Sequence, residues 1–167
     1  MVTIRPQFCH QCGAELLDRE HDGRQRRYCP GCERFFFRNA VPAVDVFVRD
    51  GDRLLMLQYA GDDGRWRSAG GPPAYDEEPG DAGARELEVA SGPRTAPEAL
   101  SVLTVIHSEY RGLHYNNIGY RLDYGDTEGE LTTGPEAVEL QFWTPDEVRE
   151  SGRTRDIDRE RLPLLFD

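Results

Sequence analysis

Apolar and polar residues alternate along this chain only in short runs, and the runs fall into two unlike stretches. From residue 43 onward, 43–48 (AVDVFV) and 53–59 (RLLMLQY) have the composition and length of strands. Between them lies Arg49-Asp50-Gly51-Asp52, whose Asp-Gly pair predicts a hairpin turn. Further strand-like runs follow at 101–106 (SVLTVI), 115–124 (YNNIGYRLDY) and 138–143 (VELQFW). One helix is predicted after the glycine-rich segment Ala69-Gly70-Gly71-Pro72-Pro73. It starts near Pro79, a residue favoured in a first turn, and stops at Gly92-Pro93. Gly80 and Gly83 each weaken it by about 1 kcal/mol relative to alanine. A second helix is announced by Thr144-Pro145-Asp146-Glu147, which reads as a capping box with Thr144 as the N-cap. Several strands with few helices imply a mixed sheet flanked by helices.

Residues 1–40 have a different texture, rich in cysteine, arginine and glycine, with FCHQCG and YCPGC as landmarks. Asn39-Ala40-Val41-Pro42 marks the change to strand periodicity, so the expected organisation is a small module over 1–40 and a domain over 41–167. No apolar run approaches the roughly 18 residues needed to span a bilayer, and the N-terminus lacks a signal-like stretch. The expectation is a cytoplasmic protein with no membrane partner.

Charge sharpens the division. The formal net charge is −11, and all 20 basic residues are arginine. Residues 1–38 hold seven Arg against five acids, and the remainder thirteen Arg against twenty-six. An acidic surface without lysine suits a halophilic protein, since at 1 M salt the Debye length is only about 3 Å. A GC-rich coding bias would give the same exchange of lysine for arginine. Arg24, Arg26 and Arg27 raise the question of nucleic acid, but the acidic remainder and the module's small positive excess argue against it.

All four cysteines lie in two pairs, Cys9-x2-Cys12 and Cys29-x2-Cys32, separated by sixteen residues. Two tight pairs of thiolates match the tetrahedral ligand count of zinc, with two disulfides or tetrahedral iron as the alternatives. Four cysteines complete a shell, which leaves His10 and His21 as bystanders and predicts a structural Zn2+ with no open position for substrate.

The segment 71–93, GPPAYDEEPGDAGARELEVASGP, resembles the Nudix box, with Gly71, Glu77, Arg85, Glu86, Leu87 and Gly92 in register. Gly64-Arg65-Trp66 and the segment 136–147 look like the family's flanking regions, and a cysteine ribbon running into a strand looks like the zinc-ribbon branch that includes NADH pyrophosphatases. The resemblance implies a Nudix α/β/α sandwich preceded by a zinc ribbon. It also implies cleavage of a nucleoside diphosphate linked to another group by Mg2+ or Mn2+ and a water, and it leaves room for a homodimer. It places Glu86 at the metal, Glu77 and Arg85 in support of the loop, and a late acid such as Glu139 near the ion. Gly70 and Gly71, with Trp66 and Tyr115 as stacking partners, become candidates for a nucleotide-like ligand.

In this register the chain departs from the family at the chemistry. Residues at i, i+3 and i+4 share one helix face, where three carboxylates would gather divalent cations. Here those positions are Glu86, Val89 and Ala90, and Glu88 is turned about 200° away from Glu86. Pro93 and Ser68-Ala69 also depart from the box, and no SQPWPFPxS-like segment follows it. Two readings follow. One is a hydrolase in which Glu86 is helped by loop acids; the other is a nucleotide-binding or regulatory protein that has lost turnover.

Overall fold

The computed structural model describes residues 5–61 and 64–166. The N-terminal module is a three-stranded antiparallel sheet of β1 (Leu17–His21), β2 (Arg24–Cys29) and β3 (Arg34–Phe36). Asp22 and Gly23 close the first hairpin, both with positive φ, as a two-residue turn matching strand twist requires. Its apolar centre is Cys9, Leu16 and Cys29, with Ala14, Cys32 and Phe36 packed against them. So small a cluster falls short of what holds a module of this size together without a crosslink or metal.

The rest of the chain forms a seven-stranded sheet of β4 (Val41–Asp50), β5 (Arg53–Tyr59), β6 (Trp66–Arg67), β7 (Ala69–Gly71), β8 (Ser101–Tyr110), β9 (Leu113–Asp123) and β10 (Ala137–Trp143). The main order is β10-β5-β4-β9-β8. β4 and β9 run parallel from Val41↔Tyr115 to Arg49↔Asp123, whereas the other pairings are antiparallel. β4 and β5 pair only beside their turn, at Arg49↔Leu54 and Asp50↔Arg53. They then part, and β7 joins β4 while β6 joins β5.

The parting leads the chain from the sheet straight into helix α1 (Pro79–Ser91). Alternation sends Val44, Val46, Val48, Leu55, Leu57, Tyr59, Tyr120 and Leu122 to one face, where they meet Ala82, Leu87 and Ala90 of α1. A Cβ on Gly83 would stand 3.0 Å from Leu100 and 3.3 Å from Val46, so this glycine lets α1 lie close on the sheet. Phe47, Leu54, Met56 and Trp66 point to the other face and meet α2 (Pro145–Glu150) and α3 (Asp156–Phe166) through Val148, Leu162 and Leu165. The Thr144 capping box forms as the sequence predicts, with Thr144 accepting from the Glu147 amide and Glu147 accepting from the Thr144 amide at 2.7 Å. The predicted helix 79–92 appears as α1, and Gly92 ends it with φ 94°.

The α3 face carries a buried polar cluster. Arg155 donates to both oxygens of Asp158 at 2.7 and 2.8 Å and to Asp45 at 2.9 Å, while Arg161 donates to Asp45 at 3.1 Å and to the Asn117 carbonyl at 3.2 Å. Ser68 donates to Asp158 and accepts from Arg155. Two carboxylates and two guanidinium groups thus tie α3 to β4, β9 and the residue before β7. No described helix is long and apolar enough to cross a membrane.

Candidate functional site

The loop from β7 to α1 is built around one arginine. Arg85 on the first half of α1 donates through Nε and Nη2 to the two Glu77 oxygens at 2.7 and 2.8 Å. Its Nη1 donates to Glu86 at 2.7 Å. Glu77 also accepts from the Ala74 amide at 2.8 Å, so both ends of the 72–78 loop are held by one side chain. Arg85 beside it, and then the Ala74 amide, hold the Glu77 carboxyl down at about 2. The two carboxylates in turn raise the pKa of Arg85 above its ordinary value.

Glu86 lies against the β7 backbone: a Cβ on Gly71 would fall 2.6 Å from its carboxylate. At Gly70 a Cβ would fall 2.1 Å from the Val44 carbonyl, so that position has no room for a side chain, whereas at Gly71 it is the end of the Glu86 side chain that would have to move aside. Val89 is 48% exposed, while Ala90 is 4% exposed and packs in the cluster that contains Leu87 and Tyr59. Beyond them the segment before β10 closes on the end of α1, with the Gly134 amide donating to the Ala90 carbonyl at 3.1 Å. A Cβ on Gly134 would strike the Val89 carbonyl at 1.7 Å.

The structure therefore brings Gly70, Gly71, Glu77, Arg85 and Glu86 together on the α1 side. Three other candidates stand elsewhere. Trp66 is buried on the α3 face against Trp143. Tyr115 shares the strand parity of Asn117 and Gly119, whose neighbour is Arg161 of α3. Glu139 pairs with Gln58, on the Trp66 side, after a β-bulge that separates it from Ala137. Two residues that sequence reasoning passed over, Tyr59 and Arg67, lie on the α1 side instead, with the Arg67 guanidinium carbon 3.5 Å from the Tyr59 ring centre. The available signal was parity: Arg67 follows Trp66 in a strand and must point the opposite way.

The four cysteines form a second candidate centre. Their sulfurs lie within 4.8 Å of one another, with Cys9–Cys32 at 3.9 Å and Cys12–Cys29 at 3.4 Å. Disulfide sulfurs would be about 2.05 Å apart, whereas a tetrahedral ion with bonds of about 2.3 Å places them about 3.8 Å apart. The Cys32 amide donates to the Cys29 sulfur. Desolvation pushes Cys9 up, but the Cys12 and Gln11 amides and the neighbouring thiols carry it down to about 6. Chiefly the Cys12 sulfur pushes Cys32 up to about 12, and desolvation raises Cys29. The opposite directions follow from four sulfurs held close together, where each resists the ionisation of the next. The donor set could hold zinc.

The sequence profile of the NUDIX domain matches residues 39–165. The chain belongs to the Nudix family. Among curated proteins nothing matches. Solved structures with the same fold include a Nudix hydrolase from Nitrosomonas europaea, at 18% identity and TM-score 0.73, covering 94% of this chain and 88% of that one. A MutT Nudix hydrolase from Burkholderia pseudomallei is similar at 18% identity and TM-score 0.66, covering 75% of this chain and 98% of that one. An Ap4A hydrolase from C. elegans is similar at 15% identity and TM-score 0.59, covering 75% of this chain and 94% of that one. At these identities the likeness establishes the Nudix α/β fold with its mixed sheet.

Proposed function

We propose that this Nudix protein binds a nucleoside diphosphate linked to a second group, in the cleft between the 72–78 loop and α1, and that it has given up efficient hydrolysis. Nudix proteins act on small nucleotide-linked substrates with divalent metals, and the retained loop, Arg85 and double glycine support a ligand of that class here. The observation that carries the loss of turnover is the helix face: Glu86 is bonded to Arg85, Val89 is an exposed aliphatic, and Ala90 is packed in the core. Mg2+ is usually held by one or two carboxylates together with waters and substrate phosphates, so Glu86 alone, already paired with Arg85, offers the helix face only a weak seat for it. In this reading Glu77 and Arg85 shape the loop, Glu86 lines the cleft, and Trp66, Tyr115 and Glu139 have no contact with the diphosphate. Residues 1–40 form a separately stabilised zinc ribbon with Cys9, Cys12, Cys29 and Cys32 as ligands to a structural Zn2+.

The test is a panel of ADP-ribose, sugar nucleotides, dinucleotides and nucleoside triphosphates, with magnesium or manganese, read by product analysis and thermal shift. Stabilisation without product is expected, and a ligand at 100 times its dissociation constant adds about 2.7 kcal/mol. Release of a mononucleotide at an ordinary enzymatic rate would instead identify a working hydrolase.

A further inference from the structure

One face of the N-terminal sheet stands apart from the rest of this acidic chain. Strand pairing sets Leu17 beside Tyr28, Arg19 beside Arg26, His21 beside Arg24 and Tyr28 beside Phe35, and paired residues share a face. Phe37 joins them, with the Arg26 guanidinium over its ring at 5.1 Å and His21 edge-on to it. The rings adjoin in a row: His21 stacks on Phe35 at 4.3 Å and Phe35 meets Tyr28 at 4.8 Å, with Arg19 over Tyr28 at 4.7 Å. The opposite parity sends Asp18, Glu20, Arg27, Cys29 and Phe36 to the other face, that of the sulfur cluster. Arg27 is occupied there by Asp18 at 3.4 Å and by the Pro6 carbonyl at 3.0 Å. Among the described residues no carboxylate lies within ion-pair distance of Arg19, Arg24 or Arg26. Asp22, in the hairpin turn, faces His21 instead, at 3.4 Å. The Arg26 Nε is shielded from solvent without an acceptor, while Phe37 is 55% and Leu17 53% exposed.

We propose that this face is a docking surface for single-stranded RNA, with unpaired bases laid on Tyr28, Phe35 and Phe37 and phosphates held by Arg19, Arg24 and Arg26. It is separate from the α1 cleft and does not depend on how that cleft is read. The net charge of −11 argues against nucleic acid only while charge is summed over the whole chain. Binding is decided by the face presented, and three guanidinium groups without carboxylate partners are complementary to a phosphate chain. The acids of the 41–167 domain are screened beyond about 10 Å at 0.1 M salt. An arginine over a ring keeps its N–H donors free around the rim of the guanidinium plane, so ring contact and phosphate binding are compatible. Exposed rings supply sequence-tolerant stacking for bases that are not already stacked in a duplex. Open bases are the ordinary state of RNA loops and tails, which selects RNA over DNA.

The experiment uses the full chain and fluorescence anisotropy with a short labelled oligo(U), an oligo(dT) of the same length and an RNA duplex. At about 50 mM salt oligo(U) is expected to bind at least as tightly as oligo(dT), and the duplex more weakly. Three arginine–phosphate contacts give a log–log salt slope of about −2, at about 0.7 per contact on a single strand. Arg24→Gln, at an exposed residue, should weaken binding several-fold and reduce that slope by about 0.7. Phe37→Ala should weaken it roughly fivefold to 150-fold, the span of one lost stacked base. Arg34→Gln removes the same charge from the opposite face and should change affinity little. Melting curves establish that each variant is folded, and if Phe37→Ala is not, Arg24→Gln against Arg34→Gln decides alone. No binding of oligo(U) at low salt overturns the proposal. Equal losses in Arg24→Gln and Arg34→Gln overturn it too, since they mark a general attraction to arginine. Tighter binding of oligo(dT) or of the duplex overturns the assignment to single-stranded RNA. Displacement of oligo(U) by ADP-ribose would put the strand in the α1 cleft and overturns the separate face. Simultaneous binding of oligo(U) and ADP-ribose upholds both sites, and Arg24-dependent binding of oligo(U) with no nucleotide bound upholds this face while removing the nucleotide reading of the cleft.

Discussion

Two clusters of charged or ionisable groups hold this molecule together, and they close in opposite ways. Under α3, Asp45 and Asp158 face Arg155 and Arg161, so the cluster carries as many positive as negative charges and is complete within the chain. In the N-terminal module the four sulfurs carry charge of one sign only, and each ionisation opposes the next. A cation bound among them would supply the balance that the chain itself does not. The difference separates a lock built into the fold from a donor set that could seat an ion, although both are compact groups of side chains in small apolar surroundings.

The largest effect should come from removing the outside partner. Chelation, or Cys29→Ser, is expected to release one zinc per chain and abolish hydrogen-exchange protection across β1–β3, leaving the melting of the 41–167 domain nearly unchanged. Structural zinc sites contribute about 10–16 kcal/mol of apparent binding free energy in isolated modules, far beyond what the Cys9–Leu16–Cys29 core can replace. Purified protein without zinc or iron, or protection that survives chelation, would break the comparison on that side.

Next in size is the self-contained cluster. Asp45→Asn leaves Arg161 buried without its carboxylate and should destabilise the domain by about 3–5 kcal/mol in urea unfolding. Adding Arg161→Met to that background should recover much of the loss, since the penalty lies in the unpaired charge. If the double variant shows the full sum of the single losses, the cluster is not the closed unit described.

The smallest effect belongs to the loop anchor at the cleft. Glu77 titrates at about 2 in the folded protein, against about 4.3 for an unperturbed glutamate. Its folded pKa is depressed, so its stabilisation is complete above about 4.3 and is lost as pH falls through about 2. A carboxyl-carbon NMR titration should show this low midpoint, and Arg85→Gln should move it back towards the unperturbed value. A midpoint near 4.3 in the wild type would mean that Arg85 does not fasten the loop in solution.

Much of the architecture was readable before any coordinates. Hydrophobic alternation located β4, β5, β8, β9 and β10 within a few residues, because strand parity is a local property. Asp50-Gly51 fixed the hairpin, Pro79 and Gly92 bracketed α1, and Thr144 with Glu147 began α2, each through the chemistry of its own few residues. The cysteine spacing announced four sulfurs that the fold does gather. Helix α3 carried a weaker signal, since Pro163 interrupts its periodicity and its helical state is supported by packing of Leu162 and Leu165 on the sheet. The make-up of the cleft belonged to tertiary structure. A motif register can align Glu86, Val89 and Ala90, but the placing of Ala90 in the core and Val89 in solvent depends on how α1 seats against β4 and β7. Trp66, Tyr115 and Glu139 fell on the far face through strand register and the bulge at Ala137, while Tyr59 and Arg67, unmarked by any motif, came to the near face. Residue spacing fixes which neighbours share a side of one strand. Which side meets the helix is decided only when the strands pair.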